Sequence, residues 1–568
     1  MIILCLGLAG PAQANCTRCH PGYRSPMPPQ TRELTCGFCH KGSASASHLP
    51  QAHKGLIPNP SDLSVAPRTC GRCHPGQVRR VRFSPMATAT GIINMTRFLW
   101  GAQHTLTPQY AVWATGRLKA LPGPSPLGGV DDLLRRRCLR CHLWVKGADT
   151  IGARRSSGCA ACHRPTDEAG RYTSGHRLVR QVPTSQCLRC HGECGAGRQA
   201  VGFIPRDEHA SARFLSPDPW HPQLWQARTW RPMKPDVHIA AGMGCTDCHG
   251  SGDVMGRAGA KGYALGNVQA RCTGCHGSWS SSPQAGERLQ RRGERWVLIT
   301  ASGKSLVVPR FRHGPGAPVA HQVGAHEALA CHACHSATNP AAWGMQVLLE
   351  TRKNYELWAP IAAQGDPQVL GLITRQLARP LKRRRSPATR DYLSGRELPG
   401  MWLVAPLLRR YEWRVLVRGP QGRIMLASPR FQYIYCQPNR PAKALGWGLV
   451  PWNPHTTSAH GPRCITCHTS AMAAGLGTRF VAQGSHAGGI VLSARLWQPG
   501  REGLEGVPGF AQLTTLEGTS LQKLLVPGAR VLERGQIRRL LVPPRIWHRW
   551  HLRAMSQQWP WASPYQAR

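Results

Sequence analysis

Ten copies of the pattern Cys-x-x-Cys-His run along this 568-residue chain and take up 20 of its 23 cysteines. They are Cys16/Cys19/His20, Cys36/Cys39/His40, Cys70/Cys73/His74, Cys138/Cys141/His142, Cys159/Cys162/His163, Cys187/Cys190/His191, Cys245/Cys248/His249, Cys272/Cys275/His276, Cys331/Cys334/His335 and Cys464/Cys467/His468. Two thiols three residues apart share one helical turn, so both can form thioethers to the vinyl groups of a porphyrin while the adjacent histidine reaches the iron. Zinc knuckles, thioredoxin-like pairs and a disulfide framework each leave that histidine unexplained. The pattern therefore predicts ten covalently bound haem c groups, with the ten motif histidines as proximal ligands.

Spread from Cys16 to His468, the motifs make the chain resemble a decahaem member of the multihaem c-type cytochromes. A narrower likeness lies in Asp236-Val237-His238, in Gly242-Met243-Gly244-Cys245-Thr246-Asp247-Cys248-His249 and in Val254-Met255-Gly256. These stretches are similar to those of large exported cytochromes of metal- and sulfur-cycling bacteria. The resemblance implies that His238 is a distal haem ligand.

Sixteen of the 26 histidines lie outside the motifs, enough for a sixth ligand on every iron, whereas methionine numbers only 12. Methionine ligation raises haem potential relative to histidine, so the surplus points to bis-histidine, low-potential haems. The distal candidates are His48, His53, His104, His176, His209, His238, His326, His332, His455 and His460. On a helix His332 points about 300° around from His335, away from that iron and toward a neighbouring one. Either His455 or His460, in a loop fixed by Pro and Gly before Cys464, serves as a ligand. His221, His313 and His321 are intermediate, and His486, His548 and His551 read as structural or surface residues.

The first six motifs fall before Gly192, about 32 residues each, too little chain for a separate hydrophobic core. With 48 Pro and 61 Gly, the expected fold is mainly α with extensive irregular loops, cored by haem, with small β-hairpins in the C-terminal half. Residues 1–14 read as a signal peptide. Ile2 to Gly10 is apolar and Ala12-Gln13-Ala14 offers a cleavage site, although a positive n-region is missing and Cys5 is expected to be removed. A hexahaem region spans 15–200 and a trihaem region with a small hairpin spans 201–340. A haem-poor α/β segment at 341–470 ends in the tenth motif, and 471–568 is haem-free.

Alternation in Trp413 to Arg418, then Gly419-Pro420-Gln421-Gly422, then Arg423 to Ala427 reads as a hairpin. A second is expected at Trp296–Ile299 and Ser305–Val308. Val369, Leu370, Leu372, Ile373 and Leu377 have helical spacing that ends at Pro380. Lone Cys194 and Cys436 either form a disulfide, which an exported setting permits, or leave Cys194 close to haem.

The formal charge is +45, from 72 Lys and Arg against 27 Asp and Glu, with Arg far in excess of Lys. Haem propionates offset part of it, and the remainder steers acidic redox partner proteins or anionic surfaces toward the molecule. No apolar stretch reaches a membrane span, so no transmembrane segment is expected. The basic run Lys382-Arg383-Arg384-Arg385 reads as a solvated loop rather than a nucleic-acid site. Export places the protein in the periplasm, at the outer membrane or outside the cell.

An enzyme needs an iron with an open position, often marked by lysine in place of the proximal histidine, and all ten motifs end in His. The expected function is electron transfer through packed haems, with an extracellular acceptor or donor and a homo-oligomer or filament as further partners. The alternative is an oxidoreductase acting on nitrite, hydroxylamine or a sulfur oxyanion at one open haem. Intact mass of the purified protein should equal the chain from Asn15 plus ten haems. A mass with eight or fewer would contradict the motif reading.

Overall fold

The computed structural model describes residues 16–22, 35–205, 223–468, 473 and 524–540, the longer stretches with short internal gaps. The proposed signal peptide, Cys194, Cys436, His209, His221, His486, His548 and His551 lie outside the described residues.

Most motifs sit on single helical turns, such as Cys36–His40, Cys272–His276 and Cys331–His335. The third and fourth motifs use 3-10 turns instead, Cys70–Arg72 and Cys138–Cys141. Helices this short are unstable alone, so their neighbours must hold them. Between the third and fourth motifs Pro75–Phe83, the four-residue Pro85–Thr88 and Thr90–Leu99 follow one another almost without a break, the first and last of them longer than the motif turns. Ser84 caps the second by accepting from the Ala87 amide, and left-handed Ala89 turns the chain into the third. That third helix buries Ile93 against Val130, Leu134 and Leu139, which brings in helix Val130–Arg136 and the fourth motif behind it.

Helix Val130–Arg136 is tied to the haem-poor segment by buried ions. Arg136 bonds Asp132 at 2.6 Å and donates to the carbonyls of Leu398, Pro399 and Gly400. Arg135 meets Asp391 at 2.7 Å and Arg137 meets Asp366 at 3.1 Å. The Trp402 indole N–H donates to Asp132 at 2.8 Å. Asp366 also caps helix Pro367–Leu377, accepting from the amides of Gln368 and Val369. That helix packs Val369, Leu372 and Ile373 onto Tyr355, Met401 and Leu403.

The expectation of a mainly α fold is corrected here: the architecture is mixed, with more sheet than two hairpins. Both expected hairpins form, with Val415 opposite Ala427 and Trp296 opposite Val308. The second gains a strand, Leu289–Arg292, antiparallel to Arg295–Ile299. The first joins a five-stranded sheet ordered Met401–Pro406, Met345–Glu350, Ile424–Tyr435, Val415–Arg418, with Lys443–Pro451 also paired to Ile424–Tyr435. A smaller sheet of Phe203–Pro205, Arg228–Pro232 and Gln223–Trp225 buries Trp230. The physical reason is the motif-free stretch after His335, where polypeptide alone has to cover its apolar side chains and does so by strand pairing. Further small clusters gather around Ile93, Trp296 and Leu63, and one joins Leu133 to Val347 and Trp402 of the sheet. No described helix is long and apolar enough to cross a membrane.

Asp132 is 3 % exposed and serves both Arg136 and Trp402. Asp132→Ala strands a buried guanidinium, and denaturant unfolding should show a loss of about 3–5 kcal/mol. An unchanged midpoint would mean that the pair does not hold this junction.

Candidate metal-ligating histidine pairs

Six motif histidines face a second histidine across a nearly constant gap. Ring centroids are 6.4 Å apart for His20 and His53, 5.9 Å for His40 and His176, and 6.0 Å for His276 and His238. They are also 6.0 Å apart for His249 and His455, for His335 and His321, and for His468 and His326. Rings in van der Waals contact would stack closer than this. With a metal–nitrogen bond of roughly 2 Å and a ring nitrogen roughly 1.1 Å from its centroid, two imidazoles on opposite sides of one ion stand about 6 Å apart. The gap fits a single metal ion held between two histidines.

Hydrogen bonding turns the rings the right way for that role. Nδ1 of His40 donates to the Ile57 carbonyl at 2.9 Å, that of His276 to Pro309 at 2.7 Å, that of His335 to Ser458 at 3.0 Å and that of His468 to Leu540 at 2.8 Å. His249 donates to the Asp253 carboxylate at 3.2 Å. On the facing side His238 donates to Asp236 at 2.9 Å, His321 to the Arg312 carbonyl at 3.2 Å, His326 to Ala320 at 2.8 Å and His455 to Asn453 at 3.1 Å. An Nδ1–H spent on an acceptor leaves Nε2 with a free lone pair, the tautomer a metal needs. Burial pushes His40, His276, His321, His455 and His468 toward the neutral form as well.

Asp236 shows how one such support is built. It caps helix Val237–Ala240, accepting from the His238 amide and ring and from the Thr457 amide. Burial works to raise its pKa, but the bonds from His238 and Thr457 outweigh burial and hold it at about 2. The carboxylate is thus ionised beneath the ring.

The motif thiols also approach one another. Cys16 lies against Cys36, Cys70 against Cys159, Cys187 against Cys245 and Cys272 against Cys331, each pair close enough to hydrogen-bond. Motifs one and two, three and five, six and seven, and eight and nine are therefore in direct contact.

Those four contacts are made by the first cysteine of each motif, and the second cysteines are placed less uniformly than ten identical motifs lead one to expect. Cys19, which ends helix Cys16–Cys19, is exposed. So is Cys73, which closes the third motif's 3-10 turn with its amide on the Cys70 carbonyl at 3.2 Å. Cys190, Cys334 and Cys467 are half-buried instead. Cys190 lies on helix Thr184–His191, Cys334 packs behind Gly461, and Cys467 lies on helix Ile465–His468 with its amide on the Cys464 carbonyl at 3.1 Å. The difference has a physical reason. Three residues on, the second thiol points about 300° around the turn, so its surroundings depend on what the neighbouring loops supply there. All twenty motif cysteines are free of disulfide bonds.

Of the distal candidates, His53, His176, His238, His326 and His455 each face a motif histidine. His48 caps helix Leu49–Ala52 and is exposed, as are His104 and His460. His332 is half-buried beside His455, and desolvation, with that neighbour's help, lowers its pKa to about 4. His321, which the sequence left as intermediate, is the ring opposite His335. The missed signal is its spacing: His321 and His326 precede one motif together, and His326 is turned to His468, which leaves His321 for His335. Among the motif rings, His191 is exposed at the end of helix Thr184–His191. It lies near the Cys245 thiol and near His455, which is itself turned to His249. No imidazole faces His74, His142 or His163 among the described residues.

Among the described residues no three or more His, Cys, Asp or Glu side chains converge, so the histidines meet in twos rather than in the fours of a structural zinc site. A metal held by two imidazoles alone needs its other ligands from a non-protein group. An uncharacterized protein of Archaeoglobus fulgidus is 29% identical over 143 residues, which span 22% of this chain and 39% of the relative. The chain thus covers well under two thirds of that relative. No family model and no solved structure matches.

Proposed function

We propose that this protein is an exported decahaem c-type cytochrome that carries electrons through closely packed, mostly bis-histidine haems, in the periplasm or outside the cell. The observation that supports it best is the recurrent gap of about 6 Å between a motif histidine and a second, independently supplied histidine. Haem at these sites supplies iron that cycles between ferric and ferrous, a one-electron chemistry that needs no bond to substrate.

The chain's own residues do the remaining work. Motif cysteines would hold each haem covalently, and the paired histidines would ligate its iron and keep exogenous ligands out. Acceptors behind Nδ1 hold each ring's tautomer and increase its donor strength, which favours the ferric state and a low potential. Contacts between thiols such as Cys70 and Cys159 would bring the groups held by the two motifs close together. On this reading haem supplies the interior that so few residues per motif cannot build. The charge of +45 attracts acidic redox proteins and anionic acceptors. A filament of copies belongs to the same proposal.

The oxidoreductase alternative draws on His74, His142 and His163, which lack a facing imidazole among the described residues. Two measurements separate the readings. In a saturated conduit the ferric protein shows only low-spin EPR signals and the reduced protein does not bind carbon monoxide. A high-spin signal from about one haem in ten that shifts with nitrite, hydroxylamine or a sulfur oxyanion would favour the enzyme.

His238→Ala removes the ring opposite His276 and no attachment cysteine. It should turn one haem of ten five-coordinate with its thioethers intact, seen as a new high-spin signal at unchanged mass. An unaltered spectrum would show that His238 does not bind iron.

A further inference from the structure

Successive motifs along the chain are neighbours in space, and one step stands apart, because motif three meets motif five thiol to thiol and motif four through flanking residues such as Leu63, packed with Leu143. Cys16 meets Cys36 between motifs one and two, and the Arg72 guanidinium of motif three lies 4.2 Å from the Phe38 ring of motif two. The Gln186 amide of motif six donates to Ala161 of motif five at 2.6 Å. Thr184, one turn before Cys187, accepts from the Cys245 amide at 3.2 Å and links six to seven. His238 ahead of motif seven faces His276 of motif eight. Phe311, whose amide donates to the His276 carbonyl, lies 4.7 Å from His321 with the rings tilted, and His321 faces motif nine. His326, before motif nine, faces His468 of motif ten.

The step that stands apart is the one after motif three. Residues 59–61 form a bracket that holds motif three on one side and motif five on the other. The Pro60 carbonyl accepts from the hydroxyl of Thr69, the residue before Cys70. On the far side Asn59 donates to the Ser157 hydroxyl at 2.7 Å, the Ser61 hydroxyl donates to the Ser157 carbonyl at 2.7 Å, and the Cys159 amide donates to the Ser61 carbonyl at 3.0 Å. Gly158 makes this approach possible. Its φ is +61°, and a Cβ there would overlap the Ser61 carbonyl oxygen. Cys70 and Cys159 are left thiol to thiol.

Motif four lies to the side of that junction. Cys138 packs among Trp100, Leu133, Val347 and Trp402, against the sheet of the haem-poor segment. Its neighbour Arg137 is bound to Asp366. Leu143, directly after His142, accepts from the Gly158 amide at 2.7 Å and packs on Cys159 and Ala161. His142 differs too, because its Nδ1 accepts an N–H from Trp144 at 3.0 Å where the other supported motif rings donate.

Resting on the cytochrome reading above, we propose that the motifs are strung in space as one, two, three, five, six, seven, eight, nine, ten, with the fourth hanging from the fifth as a side branch. Electrons crossing the molecule then pass from site three to site five directly. Site four is a third terminus of the path, placed against the 345–406 sheet rather than in series. Transit along the branch is outer-sphere, so no bond forms or breaks.

Cryo-EM of the wild-type holoprotein tests the order without any variant. The irons of sites three and five should be nearest neighbours, with iron four next to five and off the line; iron four between three and five overturns the inference. Gly158→Ala tests its consequence. The added methyl meets the Ser61 carbonyl and should pry sites three and five apart, so ten haems remain by mass but end-to-end conductance of single molecules is lost. Wild-type conductance in that variant also overturns the inference. A purified protein without haem would refute the cytochrome reading instead, so the two failures are distinct.

Discussion

Everything else in this molecule is arranged around pairs of imidazoles held apart. Two rings with their Nε2 lone pairs turned inward gain nothing from each other, so anchors behind the rings help to hold the gap between them. In four of the six pairs both rings have such an anchor, a carbonyl or carboxylate on Nδ1. The second ring usually comes from a remote part of the chain: His455 reaches His249, and His176 reaches His40. Each pair is thus a long-range tertiary contact, and the loops between motifs are drawn in by it. The Asp236 carboxylate adds a further stitch, joining His238 to Thr457 across the same gap.

The haem-poor segment solves a different problem by different means. With no motif between His335 and Cys464, its stability rests on a sheet, on helix Pro367–Leu377 and on a run of buried arginine–aspartate pairs. Those pairs are costly to desolvate, and their value lies in satisfying one another and the carbonyls of Leu398 to Gly400. They lock helix Val130–Arg136 to the sheet, and the fourth motif, which follows that helix directly, is fixed there too.

What could be read from the sequence followed the range of the interaction. The ten attachment motifs and the Val415–Ile424 hairpin are local patterns, visible in a window of a few residues. The surroundings of each thiol are not local: Cys19 and Cys73 face solvent while Cys334 is half-buried behind Gly461, though all three occupy the same place in the motif. Strand Met345–Glu350 pairs with Met401–Pro406 on one side and, in parallel, with Gln432 to Tyr435 on the other, and no local spacing announces partners so distant. The same limit applied to the histidines. Proximity to the next motif favoured His326 over His321, yet both face a motif ring, and His326 serves the later motif. His48 and His104 stood in plausible loops, but they are exposed, because a loop position does not specify a facing ring. The number of surplus histidines was informative, whereas their pairing is a property of the folded chain.

The groups behind the rings are not uniform along the string. Most rings donate to a carbonyl, but His238 and His249 donate to carboxylates, Asp236 and Asp253, which are only 8 % and 4 % exposed at the side chain. A buried anion pulls harder on the Nδ1 proton than a carbonyl does, gives the ring more imidazolate character and strengthens its donation to a metal. His238 faces His276 and His249 faces His455, so the two carboxylates act on adjacent sites, motifs seven and eight. On the electron-transfer reading the lowest potentials therefore fall together, past the middle of the string. At His142 the Trp144 amide is directed at Nδ1, so that nitrogen carries no proton and the neutral ring holds it on Nε2, the tautomer opposite to that of the other supported motif rings. The rings of motifs seven and eight and that of motif four are thus held in opposite tautomers by the hydrogen bonds behind them.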